Sequence, residues 1–403
     1  MNNIFIPYEQ ALSILEEHKG NFPTESRCLE DCIGGYLAED LIADRDFPPF
    51  DRVTMDGIAI QHETFKNGQR VFTIESTAAA GNPKKSLKDT QNCIEVMTGA
   101  IVPNGVDTVI RYEDLEITNG SATIRLTTLR HKQNIHFKGI DISQGTVIVS
   151  KGKRLSSAEI NIAASVGKAQ LKIRQLPKTI IFSTGDELVR VSQTPKLHQI
   201  RRSNIYGIQA TLKEWGVSGD LYHLADDKEE MLNTISKLLE EYELFIFTGG
   251  VSKGKFDYLP EVLEELQIQK HFHKIQQRPG KPFWFGSNTK GKKIFALPGN
   301  PVSSFVCTYV YVKHWLEKSL ELTQNKLHVE LSTDVQFKPD LVYFLEAKLK
   351  SLPSGKLAAI PIKGNGSGDF ANLVKTDGFL VLPQHKTEFK KGEVYPFVSY
   401  RTK

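Results

Sequence analysis

Cysteine is scarce in this sequence: Cys28, Cys32, Cys93 and Cys307 are the only thiols in 403 residues. So few in so long a chain do not make the disulfide framework of a small secreted domain, which points to a reducing compartment. Long apolar runs are missing too. No stretch approaches the roughly 20 residues of a membrane-spanning helix, so no membrane partner is expected. The start, MNNIFIPYEQALSILEEHKG, carries acids and a helical period in place of the basic start and apolar run of a signal peptide. These absences predict a soluble, cytoplasmic protein. Charge of one sign is equally thin, with 51 Lys and Arg against 47 Asp and Glu, a net +4 spread along the whole chain. Nucleic-acid binding needs concentrated basic patches, so no nucleic-acid partner is expected either. What remains is 40% hydrophobic and 24% charged, a globular composition that excludes wholesale disorder. At roughly 150 residues per domain, the length allows two or three domains.

Ala11, Leu12 and Leu15 follow a 3.6-residue period and predict a helix through about Lys19. CLEDCIGGYLAEDLIA predicts a second amphipathic piece from Cys28 to Ala43, interrupted by Gly34-Gly35. Pro48-Pro49 and the turn-prone Asp56-Gly57 then read as an extended connector. Between Gly57 and Val149 the pattern changes to short alternating runs: VFTIEST, CIEVMTG, DTVIRYEDLEI, SATIRL and TVIV. They predict a small β domain, with Asn119-Gly120 as a hairpin turn because both residues accept positive φ. Ser156-x-x-Glu159 is a capping-box pattern opening a helix that ends at Gly167. If that helix packs back on the N-terminal region, the β domain is an insertion.

From Pro177 to about Lys318 the rhythm is strand, glycine-rich turn, helix. Apolar strands alternating with amphipathic helices indicate a mainly parallel sheet covered on both faces. The tail from Leu327 returns to short strands and reads as a small β barrel or sandwich. The expected fold class is multidomain α/β plus β: a central doubly wound, mainly parallel α/β domain, an inserted small β domain, a helical linker region and a C-terminal β barrel. The expected boundaries are 1–45 with 143–176 for the helical and linker region, 46–142 for the insertion, 177–325 for the α/β domain and 326–403 for the barrel.

Three strands of the α/β stretch end in glycine-rich turns, at the edge where such sheets bind ligands. Ser183-Thr184-Gly185-Asp186-Glu187 follows IIF. Thr248-Gly249-Gly250-Val251-Ser252-Lys253-Gly254 follows LFIF, with Asp257 three residues later. Pro298-Gly299-Asn300-Pro301 follows IFAL and leads into a helix whose first N–H groups can hold an anion. Any one such loop is an ordinary strand-to-helix turn, in which Gly and Asp are common anyway. Three in one sheet favour a phosphate site, because glycine lets backbone amides approach a phosphate closely. The loops also carry Asp186, Glu187, Asp226, Asp227 and Asp257. Carboxylates repel a phosphate unless a cation lies between, and Mg²⁺ takes one or two carboxylates plus phosphate oxygens. Arg278 and Lys281 would add positive charge for an anionic group.

Other constellations point elsewhere. His271-x-His273 lacks a third ligand and reads as solvated strand histidines. Cys28 and Cys32 read as buried structural thiols on one helical face. Ser252 is not in a G-x-S-x-G elbow and has no histidine placed to pair with it, so acyl chemistry finds no support.

The series PPFDRVTMDGIAI, VMTGAIVPNGVDTVI, GIDIS, STGDEL, RRSNIYGIQATLKEWG, TGGVSKGKFDY, RPGKPFWFG and LPGNPVSSF resembles the MoeA and gephyrin E-domain family of molybdopterin molybdenumtransferases. The likeness runs in order over nearly the whole chain, including GNGSGDFANLVKTDGFLVLP in the tail. STGDEL is shared with related adenylyltransferases and CinA-like proteins, whereas MDG-x-A with MTGA, GGVS-x-G-x3-D and LPGNP is specific to this family. The resemblance implies a transferase that inserts molybdate into adenylylated molybdopterin and releases AMP. It implies a homodimer in which one subunit's α/β domain meets the other's inserted β domain at each active site. Molybdopterin adenylyltransferase is the implied upstream partner, and maturation factors of molybdoenzymes are candidate downstream ones.

Carried over by motif, the functional residues are Asp56, Thr98 and Asp141 from the first half. Glu187, Asp227 (or its neighbour Asp226), Asp257, Lys281, Pro298 and Pro301 come from the α/β half, and Ser367 from the tail. Asp257 and Glu187, with Asp227, are expected to position Mg²⁺ and substrate. The GGVSKG amides and Lys281 would take the pterin phosphate, and Asp56, Thr98 and Asp141 the nucleotide or molybdate side. Two departures stand out: His136-Phe137-Lys138 where the family is arginine-rich, and Arg278 where it often has lysine. Two further readings are an adenylyltransferase, opposed by the inserted β domain and the PGNP context, and a gephyrin-like scaffold, opposed by the lack of a fused partner domain or long linker.

Overall fold

A computed structural model describes residues 5–251, 257–322 and 326–401. In the α/β unit, the strands Thr179–Thr184, Leu244–Thr248 and Lys293–Leu297 are buried at every position. That is the pattern of parallel strands covered on both faces. With Gly219–Leu224 at one edge they form four parallel strands, and Trp284–Ser287 and Gln269–His273 extend the sheet antiparallel on the other side. Alternation along the Thr179 strand splits the core. Ile181 joins Ile246 and Phe295 on one face, while Ile180 and Phe182 join Phe245 and Phe247 on the other. Helices Asn204–Glu214, Lys228–Leu238, Leu259–Glu265 and Pro301–Cys307 cover the sheet, the last running through a π turn at Thr308–Val312 into Lys313–Ser319.

The N-terminal region departs from expectation. No helix spans Cys28–Ala43; the chain forms a strand Thr24–Cys28, a 3₁₀ turn Leu29–Asp31 and a short strand Leu41–Ile42. Long-range pairing overrides the local period, because Thr24–Cys28 pairs with Gln170–Arg174 and Leu41–Ile42 with Val147–Val149. Cys32, Leu37 and Leu41 then bury against Leu155, Ala163, Leu171 and Ile173. The helix Ser157–Ser165 has its capping box intact at Ser156 and Glu159. These two ladders close the chain around residues 43–146, and TVIV belongs to them rather than to the inserted sheet.

The inserted unit is a six-stranded sheet ordered Thr108–Arg111, Gly57–Ile60, Cys93–Val96, Val71–Ala78, Ser121–Ile124, Leu115–Thr118. Asn119 (φ 50°) and Gly120 (φ 78°) make the expected hairpin between its last two strands. The tail closes on itself as a barrel: Val342–Ser351, Leu357–Pro361, Leu327–Leu331, Val394–Ser399, Gly378–Leu382, then back to Val342–Ser351. Gln277–Arg278, leaving the α/β unit, pairs with Val342–Tyr343 at the barrel's edge.

One core ties these parts together. Ala11 and Leu15 of the helix Tyr8–Glu17, Phe283, Phe295 and Trp315 of the α/β unit, and Val342, Phe344 and Phe379 of the barrel share a single buried cluster. Leu15→Ala should therefore cost about 2–4 kcal/mol in chemical denaturation. A loss below about 1 kcal/mol would show that the first helix is peripheral to that core.

Candidate active site

The carboxyl ends of the three glycine-ended strands surround a cleft of about 500 Å³. Its wall includes Ser183, Thr184, Gly185, Glu187, Gly249, Gly250, Asp257, Pro298, Gly299, Asn300 and Pro301, so the predicted edge is the edge the fold builds. Two turns meet there backbone to backbone. A Cβ on Gly299 would lie 3.5 Å from the Gly249 Cα, and one on Gly249 would lie 2.7 Å from the Thr184 hydroxyl. Gly249 also holds φ 101°, a left-handed value that glycine adopts without strain. Asn204 fastens the arrangement: its side-chain amide donates to Thr248 Oγ1 at 3.0 Å and to the Gly299 carbonyl at 2.7 Å. Sequence reasoning gave Asn204 no role; its only local signal was a polar RRSN run at a helix start. The Gly249 N–H is not available to a phosphate, because it donates to the Leu297 carbonyl at 3.1 Å. Ser252 and Gly254 lie outside the described residues.

The carboxylates gather, with one exchange of position. Asp226 rather than Asp227 lines the cleft. Asp227, expected as a metal ligand with Asp226 as its alternative, instead caps the helix Lys228–Leu238, its carboxylate accepting the Glu230 N–H at 2.8 Å. Burial, with Asp186, Glu187 and Asp257 nearby, pushes the Asp226 carboxyl above its ordinary range. Asp186 does not line the cleft; its carboxylate accepts the Asp226 N–H at 3.1 Å and so positions that turn. Glu187 lies back against Gly185. Among the described residues no three acidic, histidine or cysteine side chains converge on a metal-sized point.

The expected cations are elsewhere. Arg278 sits in the strand that joins the barrel, its guanidinium 6.0 Å from the Phe337 ring, and Lys281 lies 5.1 Å from the Phe5 ring; neither lines the cleft. Arg201 and Arg202 do. Arg201 Nε donates to the Gln193 carbonyl at 3.1 Å, whereas Arg202 Nε is buried without a hydrogen-bond partner among the described residues. A buried donor left in that state costs about 1–3 kcal/mol. The N-terminus of the Pro301 helix also differs from expectation. Ser367 of the tail covers it, with its carbonyl accepting the Val302 N–H at 3.0 Å and its hydroxyl accepting the Asn300 side-chain amide at 2.9 Å. Ser367 thus reaches the site, yet it occupies a donor expected for an anion.

Asp56, Thr98 and Asp141 are not in this cleft; all three are exposed on the inserted unit. Gly57 fixes Asp56 by packing where a Cβ would fall 1.9 Å from the Ile110 carbonyl oxygen. The Thr98 N–H donates to the Asp56 carboxylate at 2.5 Å and, with the Thr98 hydroxyl, holds its pKa below the ordinary value. His136, one of the departures from the family pattern, contacts the Asp141 carboxylate at 2.9 Å. Asp141 therefore has a titratable partner where the family pattern suggests arginine. The remaining candidates are structural. His271 is half-buried rather than solvated, stacking on His18 with ring centroids 3.6 Å apart, and His273 contacts the Val251 carbonyl at 3.1 Å. Cys32 is buried but Cys28 is exposed, and all four thiols are free.

Comparison with known proteins agrees with this geometry. Residues 6–167 match the MoeA N-terminal region (domain I and II), residues 180–318 a probable molybdopterin binding domain, and residues 328–399 the MoeA C-terminal region (domain IV). A molybdopterin molybdenumtransferase of Synechocystis is 42% identical over 97% of this chain and 98% of its own length. One from Staphylococcus epidermidis is 30% identical over 91% and 88% respectively. Two crystal structures of the MoeA protein of Pyrococcus horikoshii superpose with TM-scores of 0.82 and 0.83 at 28% and 26% identity; they cover 99% and 98% of this chain and 100% of their own.

The Asp226 carboxyl binds its proton more tightly in the folded state than in the unfolded one. The stability linked to that proton is full below the ordinary carboxylate range and is lost as pH rises through the raised folded value. Asp226→Asn removes this loss. Its Tm should exceed the parent's by roughly 1–3 °C at pH 7, with the gap closing towards pH 4. An equal or lower Tm at pH 7 would mean that the cleft carboxylates do not strain one another.

Proposed function

We infer what this protein does from one premise: the chain belongs to the MoeA family. It is a transferase of molybdenum cofactor biosynthesis, inserting molybdate into adenylylated molybdopterin with release of AMP. The observation that carries this reading is the cleft at the carboxyl edge of the parallel sheet, where close-packed glycine turns, carboxylates and arginines share one wall. A substrate with anionic phosphates and polar rings fits such a wall; an apolar ligand does not.

In the reaction, the dithiolene sulfurs replace oxygens on molybdate and the phosphoanhydride to AMP is cleaved. The chain's own groups then have distinct tasks. Asn204 keeps two turns at a fixed separation, so the substrate meets a preformed surface. Asp56, held ionised by Thr98, presents a carboxylate on the inserted unit for the nucleotide or molybdate side. Mg²⁺ fits the donors present, since it needs only one or two carboxylates beside phosphate and water, and Glu187, Asp226 and Asp257 all line the cleft. One or two of Glu187, Asp226 and Asp257 would hold it, and the ion would screen the phosphates and stabilise the departing one. The separation of Asp56, Thr98 and Asp141 from the cleft supports a homodimer in which a second copy's inserted unit completes each site. No described helix is long and apolar enough to cross a membrane, in keeping with a cytoplasmic enzyme fed by an adenylyltransferase.

Incubation with adenylylated molybdopterin and molybdate should release AMP. EDTA should abolish the release and Mg²⁺ restore it; full activity in metal-free buffer would remove the metal from the account. Consumption of ATP with plain molybdopterin would instead identify an adenylyltransferase. Asp257→Asn should lose turnover with little change in Tm, because the exchange is nearly isosteric. A large fall in Tm would make Asp257 structural.

A further inference from the structure

Arg202 has a place in the cleft that neither its fold nor its neighbours account for. Its backbone N–H donates to the Val189 carbonyl at 3.1 Å, fixing it at the end of the short ladder between Leu188–Val189 and Ile200–Arg201. From there it lines two hollows at once. One is the cleft already described; the other is an adjoining hollow of about 500 Å³ shared with Arg190, Tyr206, Tyr222 and His223. Its Nε is buried and without a partner among the described residues. The nearest titratable neighbour does not fill that need. His223 turns its Nδ1 to the Ser183 hydroxyl at 3.0 Å and carbonyl at 3.1 Å, and burial with the nearby Arg202 charge holds its pKa below the ordinary histidine value. Arg201, the other arginine lining the cleft, spends its Nε on Gln193.

The guanidinium of an arginine that lines both hollows is placed to meet an oxyanion, which its planar fork can take through two parallel hydrogen bonds. We propose that Arg202 is a substrate-binding residue that holds the diphosphate joining two ring systems, one lying in the cleft and the other in the adjoining hollow. Tyr206 and Tyr222, 44% and 40% exposed in that second hollow, offer aromatic faces to a planar base. The assignment rests on the reading that the substrate is adenylylated molybdopterin, in which a diphosphate links a pterin half to an adenosine half.

Equilibrium dialysis of adenylylated molybdopterin tests it. Arg202→Met should raise Kd roughly tenfold to a hundredfold, and Arg202→Lys, a point charge without the fork, should recover only part of the loss. The ligand-free Arg202→Met protein should melt no lower than its parent, since the substitution removes a buried Nε that has no partner among the described residues. Inorganic pyrophosphate alone should raise the Tm of the parent and not that of Arg202→Met. An unchanged Kd, or equal pyrophosphate shifts in both proteins, overturns the assignment. A lower Tm in Arg202→Met with Kd unchanged would make the residue structural. Pyrophosphate bound through Arg202 by a protein that neither binds nor turns over adenylylated molybdopterin would leave the assignment standing and sink the functional reading instead.

Discussion

The structure depends on one side-chain amide. Asn204 bridges the end of the Leu244 strand to the turn after the Lys293 strand, where the backbones of Gly249 and Gly299 run close together. A side chain at Gly249 would press on Thr184 at the end of the neighbouring strand, where a Cβ would fall 2.7 Å from its hydroxyl, and would be strained at φ 101°. The buried parallel strands set the direction of these turns, and the helices on both faces hold the strands in place. Geometry therefore passes from apolar strand sequence, through sheet packing, to the shape of a polar surface.

That surface is electrically unfinished. Asp226 is held against its own charge by burial and by carboxylate neighbours, and Arg202 Nε is buried without a hydrogen-bond partner among the described residues. Folded proteins satisfy nearly all such groups, and the exceptions concentrate where a ligand supplies the missing partner. Opposite imbalances along one cleft wall suit a ligand that brings anionic phosphates together with a cation. The tail contributes by closure, since Ser367 covers the start of the Pro301 helix and occupies the Val302 N–H there.

The sequence was most legible where structure is local or strongly apolar. The three buried strands, the Asn119-Gly120 hairpin and the Ser156 capping box each follow from a few adjacent residues, and all are present. Long-range contacts were not legible. The stretch Cys28–Ala43 has a helical period, yet its ends pair with distant strands, Cys28 with Gln170 and Leu41–Ile42 with Val147–Val149, and the ladders win. Arg278 reads as a site cation until the barrel claims its strand through Val342. Asp226 and Asp227 cannot be told apart by motif, because a helix cap decides which one turns inward. Ser367 was placed at the site by resemblance, but its covering of the Pro301 helix depends on a fold-back across more than sixty residues of chain.

On the proposed assignment, the residues for one reaction are divided between two places in the chain. Asp257 faces the cleft, whereas Asp56, paired with Thr98, is exposed on a separate unit that contributes nothing to that wall. The account therefore requires two copies arranged so that each inserted unit serves the other's cleft. The direct measurement is AMP release by a purified heterodimer, isolated by sequential tags from cells co-expressing Asp56→Asn and Asp257→Asn chains. Each variant alone should be near zero. The heterodimer should recover about half of the unaltered dimer's rate, because both lesions fall in one site and leave the other intact. A heterodimer as inactive as its parents would place both carboxylates in the same subunit's site and contradict the account.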